Sequence, residues 1–355
     1  MMHQGQLQQC YNCGKDFLVK FNYQVSRDNG NIKYFCSIKC KEPAIQSVNT
    51  VRCDFCSKET QVLTIAQIAN TPDKTHYFCN PDCRKSFFSQ HARVVPEGHK
   101  TRKIAVLNHK GGTGKTTTSI NLAAGLAGKD KKVLLIDMDA QGNVGESLGI
   151  TWRKNMYDVL VDNVPIEDCI ISVSDKLDIV LSNETLAEAE IKLVPFEKRE
   201  KVLTDRLKNI RNYDYVILDC PPSLSLLNQN ALLYAEEVLI PVSCDYLSLV
   251  GVKQALESIK KLNRLHGHHS EVIGIIPTFY DVRNRISFEV VSYLNNHFED
   301  KVFRPIRINT RLREAPAKKM SIFEYDPNCT GAIDYNRLVN SVIVQEEKID
   351  VKTNI

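Results

Sequence analysis

Residues 110–117 have the residue types and spacing that point most directly to chemistry, reading Lys-Gly-Gly-Thr-Gly-Lys-Thr-Thr. Small residues let successive backbone N–H groups close around phosphate oxygens, and Lys115 adds a mobile cation. The Thr116 hydroxyl is placed to reach a Mg2+ ion that accompanies such phosphates. An apolar run, 104–107, precedes the stretch and a helix-like run, 118–127, follows it, the order that a phosphate-binding loop requires. The predicted phosphate cradle comprises Gly111, Gly112, Thr113, Gly114, Lys115, Thr116 and Thr117.

The loop departs from the general phosphate-loop spacing in one informative way. That spacing, Gly-x4-Gly-Lys-Ser/Thr, requires glycine at position 109, where His109 stands, and a second lysine, Lys110, precedes the glycine pair. A loop with this second lysine resembles the deviant Walker A motif, and residues 103–343 as a whole resemble the ParA/Soj branch of the ParA/MinD ATPases. The resemblance implies ATP and Mg2+ as cofactors. The alternative is a glycine-rich loop that binds no nucleotide.

Two acidic segments resemble the other motifs of this family. Residues 137–143 resemble the second motif, in which one carboxylate orients an attacking water and another holds Mg2+ through its hydration shell. By position, Asp139 is assigned to water activation and Asp137 to the metal shell, the alternative being that both only cap a helix. Residues 213–222 resemble a Walker B block that ends in Asp219, which is expected behind the direct ligands of magnesium.

The resemblance gives Lys110 a different task from that of Lys115. In ATPases of this type, the first lysine reaches the γ-phosphate of the other subunit, so that ATP becomes part of a dimer interface. A homodimer that forms on ATP is therefore expected, with Lys110, Lys115 and Asp139 as catalytic residues. Pro241 and Thr278 fall in blocks that match the family's loop after the fifth strand and its adenine-lining segment. Ordinary packing at strand ends is the alternative for both.

Two further segments resemble DNA-contacting blocks of the Soj pattern, residues 280–287 and 309–316. By that match, Arg283 and Arg311 are predicted to contact phosphates, and Arg285 and Arg313 are predicted to add positive charge nearby. Contacts of this kind give salt-sensitive, sequence-independent binding to double-stranded DNA. A solvated charged face is the alternative.

Eight of the twelve cysteines lie in the first 83 residues, and they form two copies of one pattern offset by 43 positions. Each copy reads Cys-x2-Cys-x22-Cys-x3-Cys, which indicates an internal duplication. Paired knuckles of this spacing favour two structural Zn2+ sites with four thiolate ligands each, the alternatives being disulfides or redox thiols. The predicted ligands are Cys10, Cys13, Cys36 and Cys40 in the first copy and Cys53, Cys56, Cys79 and Cys83 in the second.

The cysteine pattern, with an aromatic residue before each third cysteine, resembles the treble-clef-like TRASH/MYM class of zinc modules. Such modules commonly bind proteins and sometimes nucleic acid. Four protein ligands leave no open coordination position, which argues against catalytic zinc.

From residue 104 onward, short apolar runs alternate with longer helical stretches, which predicts an α/β fold with a mostly parallel, twisted sheet and helices on both faces. Predicted strands are residues 104–107, 133–136, 177–181, 215–218, 238–241 and 272–276. The predicted organisation is zinc module 1 at 1–45, zinc module 2 at 46–95, a linker at 96–103, the ATPase domain at 104–345 and a polar tail at 346–355. Residues 84–95 are expected to complete a helix of the second module.

Charge is uneven along the chain, with a formal surplus of +7 in residues 1–103 and −3 in the remainder. Eight thiolates on two zinc ions would remove much of that positive surplus, so the N-terminal part does not indicate a basic nucleic-acid arm. The chain contains no long apolar run and no amphipathic pattern at the tail, so neither a membrane span nor membrane targeting is expected. A cytoplasmic, nucleoid-associated protein is predicted.

Together these features favour a Mg-ATP-dependent dimerising ATPase that binds DNA without sequence preference and segregates DNA or positions a cellular cargo. A ParB-like protein or cargo adaptor is expected to stimulate hydrolysis, and the zinc modules are expected to recruit a partner. The alternative is a zinc-bearing nucleotide switch that regulates a protein partner, with incidental DNA binding.

Overall fold

The structure is a computed structural model, and it describes residues 7–19, 24–28, 31–37, 40–41, 50–61, 67–70, 75–90, 101–222 and 225–353. The chain divides into an N-terminal unit built mainly from residues 1–97 and a C-terminal unit built from residues 98–171 and 176–355.

The N-terminal unit contains short antiparallel hairpins, as expected of small modules with little core. Its strands pair as β1 with β2, β3 with β4, β5 with β6 and β7 with β8. Strand bounds are β1 Leu7–Gln9, β2 Asp16–Leu18, β3 Val25–Asp28, β4 Asn31–Tyr34, β5 Val51–Arg52, β6 Glu59–Thr60, β7 Ile68–Asn70 and β8 Thr75–Tyr77. Helix α1, Pro81–Gln90, follows the third cysteine of the second copy. Cys53, Phe78 and Phe87 form a small core, and Cys79 and Cys83 of the same copy pack against it.

A seven-stranded sheet forms the centre of the C-terminal unit, in the order β11-β12-β10-β13-β9-β14-β15. The pairings from β12 through β15 are parallel. The six predicted strands are confirmed, most of them longer than predicted, and the short strand β11 was missed. Strand bounds are β9 Arg102–Val106, β10 Val133–Asp137, β11 Ile171–Ser172, β12 Leu177–Val180, β13 Tyr215–Asp219, β14 Glu237–Ser243 and β15 Glu271–Thr278.

Both faces of this sheet are buried, as the continuous apolar runs of its strands predict. Ala105 and Leu107 belong to a large apolar core on one side, which also includes residues of several helices. Ile104 and Val106 are equally buried, and successive strand residues point to opposite faces. The opposite face is therefore covered as well.

Eleven further α-helices, within the ranges that the structure describes, surround the sheet. They are α2 Lys115–Gly128, α3 Asn143–Leu148, α4 Met156–Leu160, α5 Leu186–Lys192, α6 Val202–Arg206, α7 Leu226–Tyr234, α8 Ser248–His266, α9 Arg285–Phe298, α10 Thr310–Ala317, α11 Ile322–Tyr325 and α12 Thr330–Thr353. Short 3-10 helices cover Ile166–Asp168, Arg199–Lys201 and Glu299–Lys301.

Three boundaries differ from the predicted ones or lie outside the described residues. Strand β9 begins at Arg102, so the last two residues of the predicted linker belong to the sheet. Arg102 donates to Glu237 and to the Val342 carbonyl oxygen, which attaches the strand to its neighbours. Helix α12 continues through Thr353, so most of the predicted tail is helical. Residues 91–95 of the predicted helix and 96–100 of the linker lie outside the described part.

Candidate active site and candidate metal centres

The predicted phosphate loop connects β9 to α2, and the side chain of Asn108 stabilises it through two hydrogen bonds. Asn108 Nδ2 donates to the Pro241 carbonyl oxygen at 2.7 Å, and Asn108 Oδ1 accepts from the Lys110 N–H at 2.9 Å. Gly112 and Gly114 have φ angles of 72° and 84°, in the left-handed region that side chains other than glycine's rarely adopt. Helix α2 starts directly afterwards, so its positive end faces the loop.

Lys115 lies inside this loop and is 7% exposed. Its Nζ donates to the Lys110 carbonyl oxygen at 3.2 Å. Burial lowers the pKa of Lys115, while the nearby carboxylates of Asp219 and Asp139 oppose that shift. The loop therefore contains a largely desolvated amine at the position that the sequence predicts for a phosphate contact.

Asp137 and Asp219 end neighbouring parallel strands and lie opposite each other in register. Asp137 accepts hydrogen bonds from the backbone N–H groups of Asp139, at 3.0 Å, and Val144, at 3.2 Å. Asp219 Oδ1 accepts from Ser119 Oγ at 2.9 Å, whereas Asp219 Oδ2 is buried and has no hydrogen-bond partner among the described residues.

Burial is the main cause of the raised pKa values of these two carboxyl groups. It raises the pKa of Asp219 to about 6 and places that of Asp137 well above its ordinary value, to which the charge of Asp219 also contributes. Two buried carboxylates at one sheet edge are typical of a site that binds a cation, because an opposite charge nearby favours their ionised forms.

Asp139 lies at the start of the loop that leads to α3. Its carboxylate accepts from the Gln141 N–H at 3.1 Å, and its carbonyl oxygen accepts from Ser182 Oγ. Ser182 was missed from the sequence, although it follows strand β12 at the same edge of the sheet. The loop is thus held by the segment that follows β12, and Asp139 is 9% exposed, more than Asp137 or Asp219, which are both fully buried.

The Lys110 amine does not lie in its own phosphate loop. It donates to Asp245 Oδ1 at 2.6 Å and to Ser248 Oγ at 2.8 Å. Partial burial opposes ionisation of Asp245, but hydrogen bonds from Lys110, Ser243 and Ser248 prevail and hold its pKa at about 2. The sequence did not identify Asp245 as the partner of Lys110; the available signal was an acid two residues beyond a buried strand.

Pro241 and Thr278, predicted near the nucleotide, each form a hydrogen bond with the loop, Pro241 with a side chain and Thr278 with the backbone. The Pro241 carbonyl oxygen accepts from Asn108, and Thr278 Oγ1 donates to the Thr113 carbonyl oxygen at 2.9 Å. Phe279 follows with a positive φ of 53°, and a Cβ at Gly114 would lie 3.8 Å from its ring. These residues support the loop from the β14 and β15 side.

The eight N-terminal cysteines form two clusters, and within each the four sulfur atoms all lie within 4.8 Å of one another. Neighbouring pairs are close: Cys13 and Cys36 at 3.5 Å in the first cluster, Cys79 and Cys83 at 3.3 Å in the second. Four sulfurs around one zinc ion at about 2.3 Å are separated by roughly 3.8 Å, whereas a disulfide requires about 2.05 Å. The donor set fits zinc, and all twelve cysteines are free thiols.

A glutamine that the sequence analysis missed supports each cluster. Gln24 Nε2 donates to the Cys36 carbonyl oxygen at 3.3 Å, and Gln67 Nε2 donates to the Cys79 carbonyl oxygen at 3.2 Å. The two glutamines are 43 positions apart, the offset of the duplication, and that offset could have identified them.

Known proteins resemble both parts of the chain. Residues 101–271 match a family described as an AAA domain. The sporulation initiation inhibitor protein Soj of Bacillus subtilis is 41% identical over 245 residues, spanning 67% of this chain and 97% of Soj. The chain belongs to the ParA/Soj family of ATPases. Another relative, the chromosome partitioning protein ParA of Caulobacter vibrioides, is 38% identical over 259 residues, spanning 71% of this chain and 97% of that protein.

Solved structures agree with membership of the ParA/Soj family. A putative plasmid partition protein from Borrelia burgdorferi bound to AMPPNP matches with a TM-score of 0.61 and 28% identity, over 69% of this chain and all of the other. Cobyrinic acid a,c-diamide synthase from Mycobacterium smegmatis, with a bound ATP analogue and magnesium, matches with a TM-score of 0.61 and 30% identity, over 70% of this chain and 96% of the other. The chain is therefore an ATPase with this fold.

The N-terminal unit also has a known counterpart. Residues 49–87 match the MYM-type zinc finger with FCS sequence motif. This range contains all four cysteines of the second cluster, and the first copy carries the tripeptide Phe-Cys-Ser itself at residues 35–37. The ParA/Soj ATPase is thus preceded by a zinc-finger region.

Most of the predicted DNA-contacting arginines of this ParA/Soj protein have acidic partners within the chain. Arg283 pairs with Asp281 at 2.9 Å. Arg285 pairs with Glu289 at 2.7 Å and Arg311 with Glu314 at 2.8 Å. Arg313 is exposed and forms no ion pair within the part of the chain that the structure describes. The side chains of Arg283 and Arg285 are 85% and 90% exposed, so their ion pairs are open to solvent.

Over the ranges for which coordinates are described, no helix is both long and apolar enough to cross a lipid bilayer.

Proposed function

We propose that this ParA/Soj ATPase dimerises on Mg-ATP, binds DNA without sequence preference as a dimer, and thereby segregates DNA or positions another large cargo. The observation that carries the proposal is the position of Lys110. Its backbone belongs to the phosphate loop, but its amine lies outside that loop on Asp245, with about a third of the side chain exposed (32%). A cation presented at the surface beside a nucleotide site suits the phosphate of a second subunit.

Within one subunit, the proposed nucleotide site uses the loop from Gly111 to Thr117. Its backbone N–H groups and the positive end of α2 would bind phosphate oxygens, with Lys115 as the cation of the same subunit. Pro241 and Thr278 would hold the loop from the side on which relatives place the adenine. The less buried Asp139 would orient the attacking water.

The acidic pair fits a hydrated Mg2+ ion. Asp219 Oδ2 is a buried oxygen without a hydrogen-bond partner in the described part of the chain, which a metal-bound water would satisfy. Asp137 lies opposite Asp219, and Thr116 is the second residue of α2. Magnesium would supply the positive charge that stabilises a transferring phosphoryl group.

The proposed DNA surface comprises Arg283, Arg285, Arg311 and Arg313. Solvent-exposed ion pairs contribute little free energy, so DNA phosphates can replace the carboxylates at low cost. Dimerisation would double the number of contacted phosphates, and affinity depends steeply on that number.

A DNA-binding measurement with a charge-matched control tests this proposal. We expect wild-type protein to bind duplex DNA more tightly with ATP than with ADP, and Arg313→Glu to lose most of that affinity. Lys192→Glu, on the exposed side of α5, changes the net charge equally and should bind like wild type. Equal binding by Arg313→Glu and wild type, or no effect of ATP, would refute the DNA role.

The zinc modules are proposed to hold one Zn2+ each and to recruit a protein partner, such as a ParB-like stimulator or a cargo adaptor. Metal analysis of purified protein should give two zinc ions per chain, falling to one in Cys53→Ser. Cys329→Ser is the control, because Cys329 lies outside both clusters and should leave zinc content unchanged. Near-zero zinc in the wild type would refute the assignment of the two cysteine clusters as zinc sites.

A second candidate function is a zinc-bearing nucleotide switch whose target is a protein. The specific observation in its favour is that Arg283, Arg285 and Arg311 each have an acidic neighbour, which lowers the positive potential of the proposed DNA surface. In that case ATP would still induce dimers, but the apparent DNA affinity would be weak and equal with ATP and ADP.

A further inference from the structure

Helix α10 ends in a conformation that glycine ordinarily provides. The Lys319 N–H donates to the Pro316 carbonyl oxygen at 2.9 Å, and the Met320 N–H donates to that of Ala315 at 3.1 Å. This pair of bonds is the Schellman motif, whose central residue is usually glycine because its backbone is left-handed. Lys319 occupies that position with a φ of 60°. A lysine here is strained, so its side chain needs a compensating contact.

That contact is with helix α3. Lys319 Nζ donates to the Glu146 carbonyl oxygen at 2.6 Å and also to Glu146 Oε1. The carbonyl lies in the last turn of α3, where oxygens lack partners within the helix and the helix dipole is negative. The lysine stem packs on Gly149, where an added Cβ would lie 2.8 Å from Lys319 Cγ.

The carboxylate pair contributes the smaller part of this contact. The side chain of Glu146 is 81% exposed and that of Lys319 is 40% exposed, so solvent and salt screen their attraction. The backbone carbonyl and the close packing on Gly149 instead fix where the end of α3 lies relative to α10.

The opposite end of α3 belongs to the nucleotide site. The Val144 N–H, in the first turn, donates to Asp137 Oδ2. The Gly142 N–H, just before the helix, donates to the Asp139 carbonyl oxygen at 3.0 Å. A six-residue helix is about 9 Å long, so α3 directly joins the Asp139 loop to the contact with Lys319.

We propose that Lys319 is a positioning residue that couples the Asp139 loop to the arginine-bearing helix α10. The coupling rests on the proposed function, in which Asp139 meets the γ-phosphate side of ATP and Arg311 and Arg313 contact DNA. A rearrangement of residues 139–142 on ATP binding moves α3, and the grip of Lys319 on α3 carries that movement to α10. Lys319 thereby links nucleotide state to the geometry of the DNA surface.

The test compares Lys319→Gln with Lys318→Gln, which removes the same charge from the adjacent residue. The first readout is the ratio of DNA affinities with a non-hydrolysable ATP analogue and with ADP. We expect Lys319→Gln to reduce this ratio about threefold or more, and Lys318→Gln to preserve it while lowering both affinities alike. Glu146→Gln keeps the backbone carbonyl that Lys319 contacts, so it should reduce the ratio less than Lys319→Gln does.

Lys319→Gly guards against misfolding, because glycine suits the left-handed backbone and the variant should be at least as stable as wild type. A second readout needs no DNA: hydrogen exchange of residues 310–320 with and without Mg-ATP analogue. We expect the analogue to change protection there in wild type and in Lys318→Gln, but not in Lys319→Gly or Lys319→Gln.

The two readouts separate the possible failures. Unchanged ratios and unchanged exchange responses in both Lys319 variants would overturn the coupling and leave the proposed function intact. A wild-type affinity ratio of one, with an exchange response that depends on Lys319, would instead refute the DNA role and support the coupling.

Discussion

Lys110 and Lys115 of the phosphate loop have different environments, although only five positions separate them. Lys115 is buried within the loop with a lowered pKa, and Lys110 reaches a partly exposed aspartate outside it. Under the proposed function, a buried cation inside the cradle would act on the phosphates of its own subunit. A cation at the surface is available to another subunit, so the two residues should differ in what their removal abolishes.

Substituting each lysine with alanine tests this division. Lys115→Ala should lose ATP binding and reduce hydrolysis about 100-fold or more, because a charge-stabilising donor is removed from a desolvated site. Lys110→Ala should still bind ATP as a monomer but fail to dimerise. Nucleotide titration calorimetry and analytical ultracentrifugation measure the two properties. An ATP-dependent dimer of Lys110→Ala would contradict the assignment.

The buried pair Asp137 and Asp219 predicts a pH dependence of stability. Burial raises the pKa of Asp219 from 3.8 to about 6, so between these values the folded protein binds more protons than the unfolded chain. The free energy of unfolding therefore falls as pH rises from about 4 to about 6, by at most about 3 kcal/mol.

Urea denaturation without nucleotide or magnesium should show this decline in wild type and a smaller one in Asp219→Asn. A wild-type stability that rises relative to Asp219→Asn across that range would contradict the raised pKa.

Helix α2 must both follow the phosphate loop and pack closely on α12. Tyr335 of α12 contacts Thr118 through their hydroxyl groups at 3.2 Å. One turn from the end of α2, a Cβ at Gly125 would lie 2.5 Å from Val339 Cγ2. Glycine is thus required at position 125 for packing, although it weakens a helix.

Two glycines of this helix give a matched pair of substitutions. Gly125→Ala should lower the free energy of unfolding by about 1–3 kcal/mol, because the new methyl group overlaps Val339. Gly128→Ala should leave it unchanged or raise it by up to about 1 kcal/mol, since nothing lies within 4 Å of its Cβ position. Urea denaturation compares them. A harmless Gly125→Ala would show that α12 can shift away from α2.

At the scale of the whole molecule, the chain combines a duplicated cysteine unit with a complete ParA/Soj ATPase. All residues of the candidate nucleotide site lie in the C-terminal unit, which has its own large apolar core. A unit with its own core can fold and act by itself. The N-terminal unit should therefore determine which partner is engaged rather than whether ATP is hydrolysed.

Deleting residues 1–97 tests that independence. We expect the truncated protein to keep its ATPase rate and ATP-dependent DNA affinity within about twofold, because its core and site are complete. Its localisation with cargo in cells should be lost. Full-length protein with Cys329→Ser is the control, since that change leaves both cysteine clusters intact. A truncated protein that still localises would show that the ATPase unit alone finds the cargo.

The sequence by itself determined the strand–loop–helix context, the acids at strand ends and the duplicated cysteines. These features depend on residue type and short spacing, which local chain geometry translates directly into structure. The six main strands were predictable because strands that are buried on both faces have continuous apolar runs in the sequence. The same 43-residue offset also relates Gln24 to Gln67.

Only the tertiary structure decided which distant residues meet. The strand order places β13 between β9 and β10, which brings Asp219 opposite Asp137, and no local pattern encodes that order. The same holds for Lys110 with Asp245, separated by 135 positions, and for Lys319 with Glu146, separated by 173. Such contacts arise from the packing of several elements at once, whereas periodicity and motif spacing report on one element at a time.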